Sequence, residues 1–185
     1  MNCPNCGEVR LSPHSLEANL ISLMCNDCGG HWIQSFQYWK WLESHGGNLP
    51  EKPADQRVQY DLVDGDRARI CPECTRILVR CKVGHGIDFY LDRCSHCGGI
   101  WFDKNEWAML KDRNLHDDAH FIFNKSWQDQ VLRQEKEEER ERWFQNVLGE
   151  EDYRKLREFR DWIEKQEHRS SVIRYVTEGW TGGSG

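Results

Sequence analysis

The sequence predicts a small α+β fold: two tandem β-hairpins, each held by four cysteines and followed by a short helix, and then an α-helical hairpin. Three observations lead to this prediction. Eight of the nine cysteines stand in two similarly spaced sets, apolar and polar residues alternate between the cysteine pairs, and the last third of the 185-residue chain has helical periodicity. Hydrophobic residues make up only 38% of the chain. Hairpin units of about 40 residues rarely fold on apolar burial alone.

The cysteine pattern occurs twice. The first set is Cys3, Cys6, Cys25 and Cys28, and the second is Cys71, Cys74, Cys94 and Cys97. Two C-x-x-C turns at the ends of a hairpin supply the tetrahedral sulfur set that Zn²⁺ prefers. The gaps of 18 and 19 residues between the pairs are typical of zinc sites. We therefore expect a zinc-stabilised fold with two Zn²⁺ per chain, bound independently because each set is complete. Four cysteines leave no open position for catalytic zinc, and no enzyme activity is expected.

Charge and cysteine content bear on partners and compartment. The net charge is −6, shared as 14 acids and 11 bases in residues 1–110 and 17 acids and 14 bases in the remainder. The basic footprint of nucleic-acid binders is missing, so protein partners are favoured over nucleic acid. No signal peptide or membrane span is visible. Nine cysteines without such a signal favour the cytoplasm, or a reducing organellar compartment such as a stroma.

Alternation and linker composition predict the organisation of the chain. Residues 77–83 and 87–91 alternate as two strands of a hairpin, and residues 34–44 and 103–112 follow the cysteine sets as helices. Val58, Tyr60 and Leu62 before Asp64-Gly65 indicate an extra hairpin. We call each hairpin with its four cysteines a ribbon. The expected divisions are a first ribbon with its helix at 1–45, a linker at 46–56, and a second ribbon with its helix at 57–115. A helical tail follows at 116–180, and a flexible end or tag remnant at 181–185.

The tail is expected to form two helices. Ser126 is the expected N-cap of a helix that ends at Leu148, before Gly149. A second helix begins with acids at 150–152 and continues to about residue 165. The apolar run at 172–176 is not assigned to a type. Truncation after residue 125 is expected to leave both zinc sites folded but to abolish partner capture.

The doubled pattern resembles the transcription factor IIB-type zinc-ribbon family. The resemblance covers residues 1–45 and 69–110, with the repeat Cys94-Ser95-His96-Cys97-Gly98-Gly99-Ile100-Trp101-Phe102 as its clearest part. Asp103 and Glu106 fit the acidic ending of the family motif, whereas the first copy has Gln34 and Gln37 at these places. The resemblance implies tandem zinc ribbons and small adaptors. It implies nothing for the tail.

Several residues near the cysteines carry open alternatives. His31 and His96 are candidate substitute ligands, although four cysteines in each set favour a supporting or exposed position. We call each C-x-x-C turn a knuckle. Trp32 and Trp101, which follow the second knuckle of each set, are expected to pack behind it and shield the metal. Cys81 is either a small core hydrophobe, which its strand face favours, or a regulatory or catalytic thiol near His85.

Three surface groups remain to be assigned. Asp103 and Glu106 are expected to cap a helix N-terminus, or else to form a contact surface. A dense aromatic group is expected either to pack between units of this chain or to form an interface, and it comprises Phe36, Tyr38, Trp39 and Trp41. Basic residues on the second ribbon would meet a phosphate backbone in the alternative view, and they are Arg67, Arg69, Arg76, Arg80, Lys82 and Arg93.

The leading functional hypothesis is a non-enzymatic zinc-binding adaptor, acting in assembly or regulation through protein–protein contacts of the first-ribbon aromatics and the helical tail. The alternative is a transcription-associated factor that binds nucleic acid or RNA polymerase. A second alternative is a redox-responsive zinc chaperone, since clustered thiolates oxidise. A negative surface favours the adaptor, a continuous basic stripe favours the nucleic-acid factor, and facile zinc loss with peroxide favours the chaperone.

Overall fold

A computed structural model describes residues 1–45, 49, 52–53, 58, 60–61, 67–84 and 86–178. Most of the predicted hairpin at 58–65, His85 and the end at 181–185 lie outside these residues. The contacts divide the chain into two units, Met1–Leu132 and Arg133–Gly185. Both cysteine sets therefore lie in one unit.

Six strands within the described residues form one antiparallel sheet. Three belong to the first ribbon, β1 (Ser12–Glu17), β2 (Leu20–Met24) and β3 (His31–Ile33), and three to the second, β4 (Val79–Gly84), β5 (Ile87–Arg93) and β6 (Ile100–Phe102). The order across the sheet is β1-β2-β3-β6-β5-β4. The pairing of β3 with β6 joins the two ribbons, with Trp32 opposite Trp101.

The predicted hairpin of the second ribbon is present, with an uneven burial of its first strand. In β5, Ile87, Phe89 and Leu91 are buried, as their alternation predicts. In β4, Val79 is 48% exposed whereas Val83 is fully buried. The side chains of β4 are therefore exposed at its start and buried at its end. Its pairing with β5 shifts register at residues 82–84, where the strand enters the core.

Two short helices follow the ribbons: α1 (Ser35–His45) after β3 and α2 (Glu106–Asp112) after β6. Their aromatic side chains enter the main core. Trp41 and Trp107 pack edge to face with ring centroids 5.4 Å apart, and Phe102 of β6 contacts Trp107 at 5.3 Å. Both helices thereby contribute aromatic side chains to the same core as β6.

Within residues 125–178, the structure contains three helices: α3 (Lys125–Leu148), α4 (Glu150–Glu164) and α5 (Arg169–Glu178). The break after Leu148 is where Gly149 adopts a positive φ of 77°. Helix α3 begins one residue before Ser126, so this serine stands inside the first turn and not at the N-cap. The unassigned run at 172–176 lies in α5. No helix of the described residues is long and apolar enough to cross a membrane.

Candidate metal centres

The first cysteine set is assembled by two tight turns of the backbone. The N–H groups of Asn5 and Cys6 point at Cys3 Sγ, at 3.4 and 3.3 Å. In the second turn, the Cys25 N–H donates to the carbonyl of Gly30. The four sulfurs come together, with 3.7 Å between those of Cys3 and Cys28 and 3.9 Å between those of Cys25 and Cys6. Cys3 and Cys25 are buried, and Cys6 is exposed.

The second set repeats this geometry. The sulfurs of Cys71 and Cys97 lie 3.6 Å apart, and those of Cys74 and Cys94 lie 3.3 Å apart. The Cys94 N–H donates to the carbonyl of Gly99 at 2.9 Å, matching the bond from Cys25 to Gly30 in the first ribbon. In each set, the four ligand atoms all lie within 4.8 Å of one another.

Both sets fit a zinc ion. A tetrahedral site with Zn–S bonds of about 2.3 Å separates its sulfurs by about 3.8 Å, close to the distances between these thiols. Backbone N–H groups aimed at sulfur also stabilise the thiolate form. Although burial opposes it, the N–H groups of Cys97 and His96 lower the pKa of Cys94 to about 7. Two complete sets therefore fit two Zn²⁺ per chain.

The remaining thiols must lose protons to bind the metal. Burial raises the pKa of Cys97 to about 11 without metal; the thiol of Cys94 adds to this effect, whereas the Gly99 N–H opposes it. Zinc binding at these sites thus releases protons, and the apparent zinc affinity rises with pH.

The two glycines after each second knuckle have different roles. Gly29 and Gly98 adopt positive φ values of 72° and 75°, which let the chain turn away from the metal. Gly30 provides space instead: a Cβ there would stand 2.2 Å from Cζ2 of Trp101, in the other ribbon. Reciprocally, a Cβ at Gly99 would stand 2.2 Å from Cζ2 of Trp32.

The tryptophans were expected to pack behind the knuckle and shield the metal, and they do pack among the cysteines, but each of them reaches into the other ribbon. Trp32 and Trp101 are fully buried, and each lies on the glycine of the other ribbon. They join the cysteines in one apolar cluster, whose buried members are Cys3, Cys25, Trp32, Cys71, Leu78, Cys94 and Trp101. Sequence reasoning missed this packing because the repeat reveals equivalent positions but not which copy fills which space.

A buried ionic group stands beside the second site. The guanidinium of Arg69 pairs with Asp92 and, at 2.6 Å, with Asp103. All three residues are at most 5% exposed. Burial raises the pKa of Asp92 even though Arg69 opposes this shift. Arg69 was counted among the surface bases; it belongs to the interior of the second ribbon.

The acidic pair of the motif is buried at the start of α2 and forms hydrogen bonds inside the second ribbon. Asp103 accepts from Trp101 Nε1 at 2.9 Å in addition to binding Arg69. Glu106, 1% exposed, accepts from the Asp103 N–H at 2.7 Å. Asn105 precedes α2 in a left-handed conformation and makes no side-chain capping bond. The expected capping by Asp103 is therefore absent, although the reach of Glu106 back to the Asp103 N–H resembles a capping box.

The histidines and the ninth cysteine stand outside the two metal sets. His31 Nδ1 lies 3.0 Å from Ser22 Oγ, and burial lowers its pKa to about 4, with His14 adding to the shift. His96 is exposed. Cys81 is half-buried and packs against the main core, and burial raises the pKa of its thiol. This environment favours a packing role for Cys81 over a reactive one.

The predicted aromatic group divides into two pairs. Tyr38 and Trp41 are buried, and the Tyr38 hydroxyl donates to the carbonyls of His116 and Asp117 at 3.0 and 2.7 Å. Phe36 and Trp39 stay 60% and 43% exposed. Half of the group thus packs inside this unit, and half remains on its surface.

These sites and the hairpins that carry them define a zinc-binding ribbon protein. A family model described as a transcription factor zinc-finger matches the chain twice, over residues 2–44 and 70–113. Both matched segments are zinc ribbons of the transcription factor IIB type, in two tandem copies as the sequence predicts. No curated protein and no solved structure matches the chain.

Proposed function

We propose that this chain is a non-enzymatic zinc-binding adaptor that acts through protein–protein contacts in assembly or regulation. Its zinc sites are structural, because four thiolates fill the coordination shell and leave no position for a substrate or water. The observation that carries the proposal is an aromatic surface on the first unit, which consists of Phe36, Trp39, His120 and Phe121.

The aromatic surface is continuous across two segments of the chain. The rings of Trp39 and His120 are 4.8 Å apart, and those of His120 and Phe121 are 3.9 Å apart. Phe121 is 45% exposed. Phe36 shares its helix face with Trp39, three residues away. Rigid, exposed aromatic side chains of this kind are enriched in protein interfaces and supply much of their binding energy.

The helical unit offers a second apolar surface. Helices α4 and α5 have no buried residue. The large apolar side chains exposed in this unit are Trp143, Phe144, Val147, Leu148, Leu156, Phe159, Trp162, Ile173, Tyr175 and Val176. Exposed apolar surface of this extent is typical of interaction sites.

Partner capture with paired variants tests the role of the aromatic surface. The double variant Trp39→Ser, Phe121→Ser removes two aromatic side chains, and we expect it to lose proteins that the full chain retains after cross-linking in its native cell. Ile77→Ser is the matched control, because Ile77 is 66% exposed and lies outside this surface. Equal capture by the double variant and the control would contradict the proposal, provided that both retain two zinc ions.

One observation favours the alternative of nucleic-acid binding. The guanidinium of Arg80 lies 4.6 Å from the ring centroid of Tyr90, and Lys82 Nζ lies 5.8 Å from it. Basic and aromatic side chains together can bind single strands by charge and stacking. The group is small, since Arg69 is buried and Lys82 also pairs with Asp88 at 2.9 Å.

A gel-shift titration separates the two functions. For an adaptor, we expect no nucleic-acid binding tighter than about 10⁻⁶ M at physiological salt, the non-specific range. Sequence-selective nanomolar binding would establish the nucleic-acid function instead, if it is lost in the double variant Arg80→Gln, Lys82→Gln and retained in the double variant Trp39→Ser, Phe121→Ser.

A further inference from the structure

We propose that the two zinc sites are thermodynamically coupled, so that zinc at one site raises the zinc affinity of the other. The complete ligand sets led to the expectation of independent binding. The structure places buried cysteines of both sites in a single apolar cluster with Trp32 and Trp101. This shared cluster is the starting observation, and three connections between the ribbons carry the proposal further.

The first connection is the sheet. Strand β3 leaves the second knuckle of the first site, and β6 leaves the second knuckle of the second site. They pair with each other over three residues, His31 with Phe102, Trp32 with Trp101, and Ile33 with Ile100. Each strand therefore supplies backbone hydrogen-bond partners to one edge of the other, while β2 and β5 pair with the outer edges. Without the opposite ribbon, one edge of each strand would lack its partners.

The second connection is the reciprocal packing of tryptophan on glycine. Trp32 occupies the space beside Gly99, and Trp101 occupies the space beside Gly30. Neither Gly30 nor Gly99 is among the glycines with positive φ. Their lack of a side chain is thus required by the close approach of the other ribbon, and a loosened knuckle on one side removes the surface against which the opposite tryptophan packs.

The third connection is a hydrogen bond from the first ribbon to the first knuckle of the second metal site. Trp32 Nε1 donates to Glu73 Oε1 at 2.8 Å, and Glu73 lies between the ligands Cys71 and Cys74. The equivalent nitrogen of Trp101 donates to Asp103 in its own ribbon. The first ribbon therefore helps to position the first knuckle of the second site.

Zinc-dependent folding converts these connections into coupling. A ribbon of this size depends on its metal to hold the knuckles, so a metal-free ribbon loses the fixed positions of its strand and tryptophan. The other site then binds zinc without those contacts and has to order them itself. Such coupling is reciprocal, and its usual size is about 5- to 150-fold in affinity.

Ligand variants of the full chain test the coupling. Metal-free protein under reducing conditions is titrated with zinc against a chromophoric chelator. Cys25→Ser disables the first site, and we expect the zinc affinity of the second site to fall about tenfold or more. Cys94→Ser should lower the affinity of the first site by a similar factor. Affinities that stay within about twofold of the intact chain in both variants would overturn the proposal.

A second pair of variants keeps all eight ligands and tests the route. Glu73→Ala removes the acceptor of Trp32 Nε1, and Asn5→Ala is the matched control at the equivalent place in the first ribbon. We expect both to bind two zinc ions, with the steepness of the binding curve reduced in Glu73→Ala and unchanged in Asn5→Ala. Circular dichroism during the same titration reports folding separately. A simple two-site curve without cooperativity in the intact chain would also overturn the proposal.

Discussion

Arg69 holds two carboxylates, Asp92 and Asp103, inside the second ribbon. Buried ion pairs depend on having all their partners, since a charge left alone in the interior is costly. Arg69→Met should therefore lower the free energy of unfolding by about 3–5 kcal/mol, because it leaves two uncompensated acids. Urea denaturation of the zinc-loaded protein measures this change.

Arg76→Met provides the control for this prediction. Arg76 is exposed and lies in the same ribbon. Its replacement should change the free energy of unfolding by no more than about 0.5 kcal/mol. Similar losses in both variants would contradict the role given to the buried pair.

His31 gives the fold a dependence on pH. Burial lowers its pKa to about 4, and burial also lowers the pKa of His116 and of His120. Histidine in the unfolded chain titrates near 6.5, so unfolding takes up protons below that pH. The free energy of unfolding should be constant with respect to these groups above about pH 7 and should fall as pH drops from 6.5 towards 4.

His31→Asn isolates this contribution from the release of zinc by acid. At saturating zinc, the free energy of unfolding of the variant should fall less steeply between pH 6.5 and 4 than that of the intact chain. The difference in slope should correspond to at most about one proton taken up on unfolding. His168→Asn, at an exposed position, should leave the slope unchanged. An unchanged slope in His31→Asn would contradict the prediction.

The junction between β4 and α3 depends on Gly84 at the level of whole elements. Gly84 has φ 74°, and a Cβ there would stand 2.4 Å from Val131 Cγ2 of α3. Trp127 Nε1 of the same helix donates to the Val83 carbonyl at 2.8 Å. The start of α3 thus packs on an edge strand and satisfies its backbone.

Gly84→Ala should accordingly cost more than Gly86→Ala. Both glycines have φ 74°, but a Cβ at Gly86 would meet nothing within 4 Å. The shared left-handed conformation costs about 1–2 kcal/mol for alanine. The overpacked contact with Val131 should add about 1–3 kcal/mol at Gly84, measured by denaturant unfolding. Equal costs would show that α3 is not held by this contact.

Local periodicity predicted most of these elements. Alternation identified β5, and the tail helices were expected close to their observed ends because acids and Gly149 mark them. Helix α5 was not predicted, since the short run at 172–176, four apolar residues interrupted by Arg174, has no distinct period. The buried pairing of Arg69 could not be predicted either, because its two partners are distant in sequence and charge alone suggests exposure.

At the scale of the molecule, the two cysteine sets were predictable from spacing, whereas the single sheet was not. The Gly- and Pro-containing linker indicated two separate ribbons. Pairing of β3 with β6 depends on contacts between strands 69 residues apart, Trp32 with Trp101, which no local pattern contains. The duplicated motif was visible, but its mutual fit appears only in three dimensions.

The unit boundary changes where the chain should be cut. Sequence reasoning placed the cut after residue 125, but Val131 is 3% exposed and Trp127 packs against the main core. A chain ending at Leu132, the limit of the first unit, should retain two zinc ions with unchanged stability. A chain ending at Lys125 should be less stable by about 3 kcal/mol or more, because it loses buried aromatic and aliphatic surface.

Metal analysis and thermal unfolding of the two truncated chains check this prediction. Similar unfolding temperatures for both would show that the first turns of α3 do not support the zinc unit. Zinc loss from the longer chain would show that the ribbons need the part of the tail after residue 132.

The joint between β3 and β6 has the form of an isologous dimer contained in one chain. Such an interface uses the same patch twice, so that each contact occurs a second time, related to the first by a two-fold axis. Here Trp32 on Gly99 is returned by Trp101 on Gly30. The two copies are therefore not free to vary separately: a larger residue at one glycine calls for a smaller one at the opposite tryptophan. Swapping whole ribbons between such proteins should succeed only when both halves of this joint are exchanged together.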